Sequence, residues 1–336
     1  MRLVTFDVRS SPGAPRLGVL RPTGESVIDL AAAAASTGNE APPHLRDMLA
    51  FLDAGSLGRD AVEQTAAFAD RQQPPGTIHR RDDVTLLAPL PRPRSLRDCM
   101  AFERHVIQFM RATVRRRSPP LAAADAWLER ACGRGWLRPP RVWYQRPIYY
   151  KGNPGSVIGP DADIRWPAAS AWLDYELEFA VIIGRPGRDI PKARAMDHVA
   201  GYTIFNDVSA RDVQLAEMRG HLGLSQGKDL DTGTVLGPTL VTADEIADPQ
   251  TLAMSARIDG QEWSRGTSAD MRYSVAELIA FISRDETLYP GDVIGSGAVG
   301  GGCGFELGRR LAPGNIIELE VERLGTLRNR IVRSVG

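Results

Sequence analysis

Residues 173–184 read LDYELEFAVIIG, a stretch in which acidic and apolar residues alternate before a continuous apolar run. In a β-strand, alternate side chains point to opposite faces, so Asp174, Glu176 and Glu178 would share one face. The rest of the stretch is apolar on both faces, which is typical of a strand buried on both sides. An ordinary amphipathic strand with one solvated face explains the acids. The alternative is that Glu176 and Glu178 converge on something positive.

The composition of the chain is that of an ordinary soluble globular protein. It has 336 residues, of which 43% are hydrophobic and 24% are charged. Its 41 basic residues balance 41 acidic residues, so no overall basic field exists to attract nucleic acid. We therefore expect no nucleic-acid partner.

The expected location is the cytoplasm. The first residues, MRLVTFDVRS, lack the longer apolar region of a signal peptide, and no apolar stretch approaches the roughly 20 residues that cross a bilayer. Cys99, Cys132 and Cys303 are odd in number and far apart, which fits neither a disulfide framework nor a zinc site. The sequence thus predicts a reduced protein without a membrane partner.

The chain divides into a small N-terminal region and a larger second region. Short strands and helices over 1–88 predict a small α+β domain, with the polar stretch RQQPPGTIHRRDD near its end. The larger region, 89–336, is predicted to be the catalytic domain. Within it, residues 112–146 are rich in Arg, Pro and Ala and show one helix around LAAADAWLERACG. We expect this segment to form an excursion, such as a flap.

Strand patterns dominate the chain after residue 147. The turns PGDVI and PGNII each introduce a strand, and Ser274 with Glu277 predicts a capping box at the start of a helix. Strands outnumber helices and do not alternate with them. The sequence therefore predicts an α+β, mainly β fold rather than a doubly wound sheet.

One motif resembles a dinucleotide site but lacks the context of one. GSGAVG at 295–300 matches G-x-G-x-x-G, yet a Rossmann fingerprint needs a helix next, inside a βαβ unit. Here further glycines follow. A glycine-rich loop whose backbone approaches a ligand is the better interpretation, and a dinucleotide-dependent oxidoreductase is kept as a rival hypothesis.

Three more segments carry isolated polar residues. In FNDVSARDVQLAEM, a helix that starts near Asp207 would place Arg211 and Gln214 on the same stripe. His105 lies on a predicted helix in RDCMAFERHV, and Lys228 lies in the polar loop GKDLDTG. Taken singly, each is more often a structural or solvated residue than a functional one.

The order of these segments resembles the fumarylacetoacetate hydrolase family. The resemblance is carried by RDCMAFERHV, YYKGNPGSVIG, LDYELEFAVIIG, FNDVSARDVQ, QGKDLDTGTVLGP and PGDVIGSG. Together they cover about three quarters of the chain, roughly residues 90–335, and DYELE followed by NDVSARD is specific as a pair. The resemblance implies a mixed β-roll catalytic domain.

The resemblance also implies a metal site. The carboxylates that hold the divalent metal of the family correspond here to Asp98, Glu176, Glu178 and Asp207. An all-oxygen set suits a hard cation, with Mg²⁺ as the first expectation and Ca²⁺ or Mn²⁺ as alternatives. By this match Asp174 is not a ligand, although it shares the strand face.

The same correspondence implies catalytic and substrate-binding residues. The catalytic histidine of the family falls on His105, its orienting glutamate on Glu306 and its lysine on Lys228. A carboxylate on one ring nitrogen fixes the tautomer and raises the basicity of the other nitrogen. The implied substrate-binding positions are Arg211, Gln214, Tyr150, Thr232, Met100, Met218 and Ala298.

Three of these positions depart from the pattern of the family. Met100 and Met218 stand where the hydrolase acting on fumarylacetoacetate itself has tyrosines, and Ala298 stands where a threonine is often found. Three hydroxyls that would hydrogen-bond to substrate oxygens are therefore missing. The pocket is predicted to be less polar, which affects the substrate more than the fold or the metal.

The activity that the resemblance implies is hydrolysis of a carbon–carbon bond in a 1,3-dicarbonyl or acylpyruvate-like acid. A His–Glu pair would activate a water, and the metal would stabilise the departing enolate. Decarboxylases, isomerases and hydratases of 2-oxo acids on the same scaffold are the nearest alternatives. A non-catalytic biosynthetic homologue is a further alternative. A homodimer is expected on the same resemblance.

Overall fold

The protein has a strand-rich α+β architecture, which confirms the predicted fold class. The structure is a computed structural model and describes residues 1–38, 40–221 and 223–333. Residues 334–336, at the end of the predicted catalytic domain, lie outside the described residues. None of the helices in the described ranges has the length and apolar character needed to cross a membrane.

The secondary-structure elements are numbered in chain order. The strands are β1 (Arg2–Val8), β2 (Ser11–Leu20), β3 (Ser26–Asp29), β4 (Ile78–Arg80), β5 (Val84–Leu86), β6 (Ser95–Cys99), β7 (Tyr149–Gly152), β8 (Val157–Ile158), β9 (Asp163–Trp166), β10 (Leu173–Asp174), β11 (Leu177–Ile183), β12 (Val199–Asp207), β13 (Ser209–Ala210), β14 (Thr234–Thr242), β15 (Ala253–Ile258), β16 (Gln261–Thr267), β17 (Asp292–Gly295), β18 (Ile316–Val321) and β19 (Gly325–Arg333). The α-helices are α1 (Leu30–Ala35), α2 (Met48–Asp53), α3 (Ser56–Gln72), α4 (Glu103–Arg115), α5 (Pro119–Cys132), α6 (Arg141–Gln145), α7 (Arg211–Glu217), α8 (Val275–Ile282) and α9 (Gly304–Leu307).

β11 lies inside the larger sheet, between β12 and β17, and every residue of it is buried. Its odd-numbered residues, from Leu177 to Ile183, belong to one apolar cluster, whereas Ala180 and Ile182 belong to another. The strand therefore has a packed core on each face, as its sequence predicts. The predicted strand is confirmed, with a two-residue interruption between β10 and β11.

Two layers cover the larger sheet. Its strand order is β4-β3-β2-β1-β14-β12-β11-β17-β6-β7, with β5 beside β1 and β8 beside β14. A smaller sheet, β16-β15-β18-β19-β9, packs on one face through a cluster that includes Phe179, Met254 and Leu319. Helices α1, α2 and α3 pack on the other face through a cluster that includes Phe51 and Val62.

The N-terminal segment continues the larger sheet. β1 pairs antiparallel with β14, so that Arg2 lies opposite Val241 and Leu3 opposite Leu240. Strands from both predicted regions thus share one hydrogen-bonded sheet. The division into domains over 1–88 and 89–336 stays a prediction.

The glycine-rich motif forms a tight turn beside β6. β6 and β17 pair in parallel with Asp98 opposite Gly295, and the chain then turns at Gly297, whose φ is +81°. A Cβ at Gly297 would lie 2.3 Å from the carbonyl oxygen of Cys99, so this position requires glycine. The helix that follows, α9, has only four residues, which does not match a dinucleotide fold.

The helix expected to start near Asp207 begins later. Asp207 is the last residue of β12, and α7 starts at Arg211. The prediction of a shared helical stripe is therefore wrong for Asp207. The chain stays extended after Asp207 because Ser209 and Ala210 form β13, which pairs with β10.

The predicted capping box at the start of α8 is confirmed. The Glu277 N–H donates to Ser274 Oγ over 3.2 Å, and the Ser274 N–H donates to Glu277 Oε2 over 2.8 Å. Ser274→Ala should lower the free energy of unfolding by about 1 kcal/mol because an N–H of α8 loses its acceptor. Urea denaturation followed by circular dichroism measures this loss.

Ser56→Ala is the matched control for this prediction. Ser56 is the first residue of α3, and the N-cap of that helix is Gly55, which has no side chain to accept a hydrogen bond. The substitution should change the free energy of unfolding by less than about 0.5 kcal/mol. Equal losses in the two variants would contradict the assigned role of Ser274.

Candidate active site

Three carboxylates from three strands lie close together near the N-terminal end of β11. Asp98 of β6, Glu178 of β11 and Asp207 of β12 each place an oxygen within 4.8 Å of the others. All three side chains are buried. The structure thus brings together three of the four residues predicted as metal ligands.

The glycine turn supplies a donor to this cluster but leaves one oxygen without a partner. The Gly297 N–H donates to Glu178 Oε2 over 2.9 Å and to Asp98 Oδ1 over 3.2 Å. Among the described residues, no N–H or hydroxyl group donates to the buried Glu178 Oε1. An unsatisfied buried carboxylate oxygen is costly, and a cation would satisfy it.

Glu176, the fourth predicted ligand, faces two cationic side chains. Arg211 Nη2 donates to its Oε1 over 2.9 Å, and Lys228 Nζ donates to its Oε2 over 2.6 Å. Burial opposes ionisation of Glu176, yet Arg211 and Lys228 hold its pKa below the ordinary value. Lys228 Nζ also donates to Asp207 Oδ2. Metal ligation by Glu176 stays a prediction.

Buried carboxyl groups outnumber buried cationic groups around the N-terminal end of β11. The buried carboxylates here are Asp98, Asp174, Glu176, Glu178 and Asp207, and the buried cations are Lys228 and Arg211. Burial, together with the charge of Asp207, raises the pKa of Asp98 to about 8. Burial and the charge of Asp98 raise the pKa of Glu178 well above its ordinary value.

The donor set fits a hard divalent cation. Carboxylates only accept hydrogen bonds, so Asp98 and Glu178 can bond to each other only with a proton between them. A divalent cation would stabilise the ionised form of these carboxyl groups and engage Glu178 Oε1. Oxygen ligands alone favour Mg²⁺, Ca²⁺ or Mn²⁺ over zinc.

His105 and Glu306 form a buried pair beside these carboxylates. His105 lies in the first turn of α4, and its Nδ1 is hydrogen-bonded to Glu306 Oε1. Because an ionised carboxylate only accepts, Nδ1 carries the proton and Nε2 is left as the basic nitrogen. Nε2 lies 4.0 Å from Glu176 Oε1. Such a pair can act as a general base with its orienting carboxylate.

Arg211 is fully buried and connects several of these side chains. Besides its bond to Glu176, its Nε donates to Asp174 Oδ2 and its Nη1 donates to Gln214 Oε1, each over 2.9 Å. Arg211 was predicted to bind substrate, but it does not line the cavity described below. The structure gives it the geometry of a positioning residue.

Asp174 joins the strand end to the helix that carries Glu306. It accepts hydrogen bonds from the N–H groups of Gly304 and Phe305, each over 2.9 Å. These residues begin α9, and Glu306 follows them. The resemblance left Asp174 without a role. Its hydrogen bonds hold the start of α9 and thereby position Glu306 beside His105.

A cavity of about 750 Å³ opens onto the site. The predicted site residues that line it are Asp98, Met100, His105, Tyr150, Glu176, Glu178, Gln214, Met218, Lys228 and Ala298. The Tyr150 hydroxyl donates to Asp207 Oδ2 over 2.8 Å. Thr232 does not line the cavity, and its Oγ1 accepts the Arg165 N–H over 2.9 Å.

Part of the cavity wall was missed by the sequence analysis. Pro140, Val142 and Trp143 line it, and all three belong to the segment 112–146 that was predicted to be an excursion. The short stretch RPPRVWYQRP has no periodicity that would reveal this position. The only signal was a cluster of apolar and aromatic residues in an otherwise arginine-rich segment.

Comparisons with known proteins identify the family. Residues 127–332 match the family model described as Fumarylacetoacetate (FAA) hydrolase C-terminal. The chain is also 32% identical over 335 residues to the mitochondrial oxaloacetate tautomerase of Xenopus laevis, an alignment that covers 99% of this chain and 90% of that protein. The chain belongs to the fumarylacetoacetate hydrolase family, which confirms the resemblance inferred from its motifs.

Solved structures support the same assignment. A fumarylacetoacetate hydrolase from Exiguobacterium antarcticum superimposes with a TM-score of 0.69 at 26% identity, covering 99% of both chains. A 5-carboxymethyl-2-hydroxymuconate delta-isomerase from Mycobacterium smegmatis superimposes with a TM-score of 0.67 at 25% identity, covering 99% of this chain and 100% of that one. Relatives of this chain thus carry the names of a hydrolase, an isomerase and a tautomerase.

Divalent cations should stabilise the folded protein through the carboxylate cluster. A ligand that binds only the folded state raises the melting temperature as its concentration rises. Glu178→Gln should weaken Mg²⁺ affinity by more than about tenfold, the loss that even outer-shell changes produce, and should reduce the thermal shift. Titration calorimetry and thermal melts with Mg²⁺, Ca²⁺ and Mn²⁺ measure both effects.

Asp82→Asn is the matched control for the cation prediction. The Asp82 side chain is 88% exposed, so its substitution should leave the affinity and the thermal shift unchanged. A wild-type protein that binds none of the three ions would contradict the metal site. A Glu178→Gln variant that binds them as tightly as the wild type would exclude Glu178 as a ligand.

Proposed function

We propose that the protein is a divalent-metal-dependent hydrolase that cleaves a carbon–carbon bond in a 1,3-dicarbonyl or acylpyruvate-like acid. The observation that carries this proposal is that His105, paired with Glu306, lines the same cavity as Asp98 and Glu178 of the buried carboxylate cluster. This combination provides a general base that can deprotonate water and, next to it, a site for a Lewis-acidic ion.

The proposed reaction begins with proton transfer to His105. Nε2 accepts a proton from water while the Nδ1–H stays bonded to Glu306, and the resulting hydroxide adds to the substrate carbonyl. The carbon–carbon bond then breaks, and its electron pair leaves as an enolate. The protonated His105 returns the proton to the enolate carbon, so that the products are a carboxylic acid and a 2-oxo acid.

Cationic groups stabilise the negative charge that develops. A divalent cation held by Asp98, Glu178 and Asp207 would polarise the carbonyl and stabilise an enolate oxygen. Lys228 lines the cavity as a buried ammonium and contributes positive charge where water is excluded. Gln214 also lines the cavity, and because Arg211 occupies its Oε1, it presents its NH₂ group to a ligand.

Tautomerisation of a 2-oxo acid is the second candidate function. It is favoured by a specific observation, since a relative aligned over 99% of this chain is named an oxaloacetate tautomerase. His105 would then move a proton between a carbon and an enol oxygen without activating water. Decarboxylation or hydration of a 2-oxo acid would use the same groups. The homodimer and the cytoplasmic location stay predictions.

Removal of the base should reduce turnover without loss of the cation. His105→Gln and Glu306→Gln should each lower kcat by roughly 10²–10⁴, the usual contribution of general-base catalysis, and leave Mg²⁺ affinity intact. His198→Gln is the control, because His198 contacts the Arg185 carbonyl and lies outside the cavity. Equal turnover in purified His105→Gln and wild-type protein would rule out the base.

The pH dependence separates a base from a structural histidine. Burial lowers the pKa of His105, but the charge of Glu306, its hydrogen bond to His105 and the charge of Glu176 together outweigh burial, so the net pKa lies above the ordinary value. His105 accepts a proton only when neutral, so kcat/KM should fall as the pH drops below this raised pKa. In Glu306→Gln the midpoint of the kcat/KM profile against pH should move to lower pH. A purely structural Glu306 would leave the midpoint in place.

Product analysis distinguishes the candidate reactions. Acylpyruvates, β-diketones and oxaloacetate are incubated with the Mg²⁺-loaded protein, and products are identified by mass. Hydrolysis should yield a pair of acids from an acylpyruvate, whereas decarboxylation yields carbon dioxide and tautomerisation yields only a change of the enol absorbance. Absence of any conversion in protein that binds Mg²⁺ would favour a non-catalytic homologue.

A further inference from the structure

The cavity is larger and less polar than a small oxo acid requires. Its volume of about 750 Å³ lies in the range of roughly 300–1,000 Å³ that is typical of sites for drug-sized molecules. Oxaloacetate would occupy only a small part of it. Apolar side chains make up much of the remaining wall, among them Met100, Met110, Val142, Trp143, Met218 and Leu224.

Three of these apolar side chains are unusually exposed. Met100 is 36% exposed, Val142 is 42% exposed and Met218 is 47% exposed, and all three line this cavity. Apolar side chains gathered around one concave surface mark a site at which an apolar ligand group can be buried.

The apolar wall is held in place by hydrogen bonds. Trp143 is 1% exposed, and its Nε1 donates to the carbonyl oxygen of Met100 over 2.8 Å. The Tyr273 hydroxyl donates to the carbonyl oxygen of Trp143 over 2.6 Å, and the Tyr144 hydroxyl donates to Glu103 Oε1 over 2.6 Å. These contacts anchor α6 to the residue that follows β6, to Tyr273 and to the first turn of α4, so the wall is preformed.

We propose that the substrate is an oxo acid whose acyl side carries a bulky apolar group, such as an alkyl chain or an aryl ring. The apolar group lies against Met100, Val142 and Met218, and the oxo-acid end faces His105 and Lys228. The proposal rests on the proposed function and names the substrate class of the same site. It makes the apolar wall a determinant of specificity.

Straight-chain 2-oxo acids test this proposal by binding alone. Pyruvate, 2-oxobutanoate, 2-oxopentanoate and 2-oxohexanoate are titrated calorimetrically into the Mg²⁺-loaded protein. Burial of one methylene corresponds to roughly a fourfold change in affinity, so the dissociation constant should fall by about that factor with each added carbon. A dissociation constant that stays flat or rises along the series overturns the proposal.

Matched serine variants locate the apolar wall. Met218→Ser and, independently, Val142→Ser should flatten the dependence of affinity on chain length. Met196→Ser is the control, since Met196 is 38% exposed but lies outside the cavity, and it should retain the wild-type dependence. A dependence that survives in both cavity variants overturns the assignment of these residues.

Turnover measured on the same samples separates this inference from the proposed function. Protein that binds longer chains more tightly but converts no acylpyruvate supports the apolar site and contradicts the hydrolase. Protein that hydrolyses acylpyruvates with no gain in affinity for longer chains supports the hydrolase and overturns the apolar site.

Discussion

A surplus of buried carboxyl groups over buried cationic groups is the constraint on which the candidate site depends. Buried carboxylates are costly unless they are paired. Among the described residues, the carboxylates at the N-terminal end of β11 outnumber the cations beside them. Arg211 pairs with Asp174 and Glu176, while Lys228 links Glu176 to Asp207. The shortage of cationic partners that remains is located around Glu178, which has one oxygen without a donor. The arrangement of ion pairs therefore defines where an additional cation is needed.

The apolar half of the same strand keeps these charges in position. The side chains of β11 belong to two different cores, one on each face, and the period of a strand is two residues. A shift of pairing by one residue would turn Glu178 into the cluster that contains Phe179 and would turn Phe179 toward the carboxylates. The register is therefore strongly specified. The same packing that stabilises the fold also determines the direction in which the acids point.

Local patterns in the sequence predicted those features that depend on neighbouring residues. They include the strand at 173–184, the capping box at Ser274 and the strands that follow the two PG turns. The pattern around Asp207 was misleading, because pairing between β10 and β13 overrides the local helical spacing. Lys228 looked like a solvated loop residue, yet it is buried against two acids distant in sequence. The wall around Trp143 was also missed, since contacts between remote segments leave no trace in periodicity.

The parallel pairing of β6 with β17 has a consequence for the newly synthesised chain. The Gly297 amide that contacts Asp98 follows it by 199 positions, an interval that a ribosome needs roughly 10 to 40 seconds to translate. During this time β6 lacks one of its two neighbouring strands, and the edge of β11 that later receives β17 is exposed. Such unpaired edges attract chaperones and promote aggregation. Nascent chains stalled before residue 292 should therefore depend on holdases far more than complete ones.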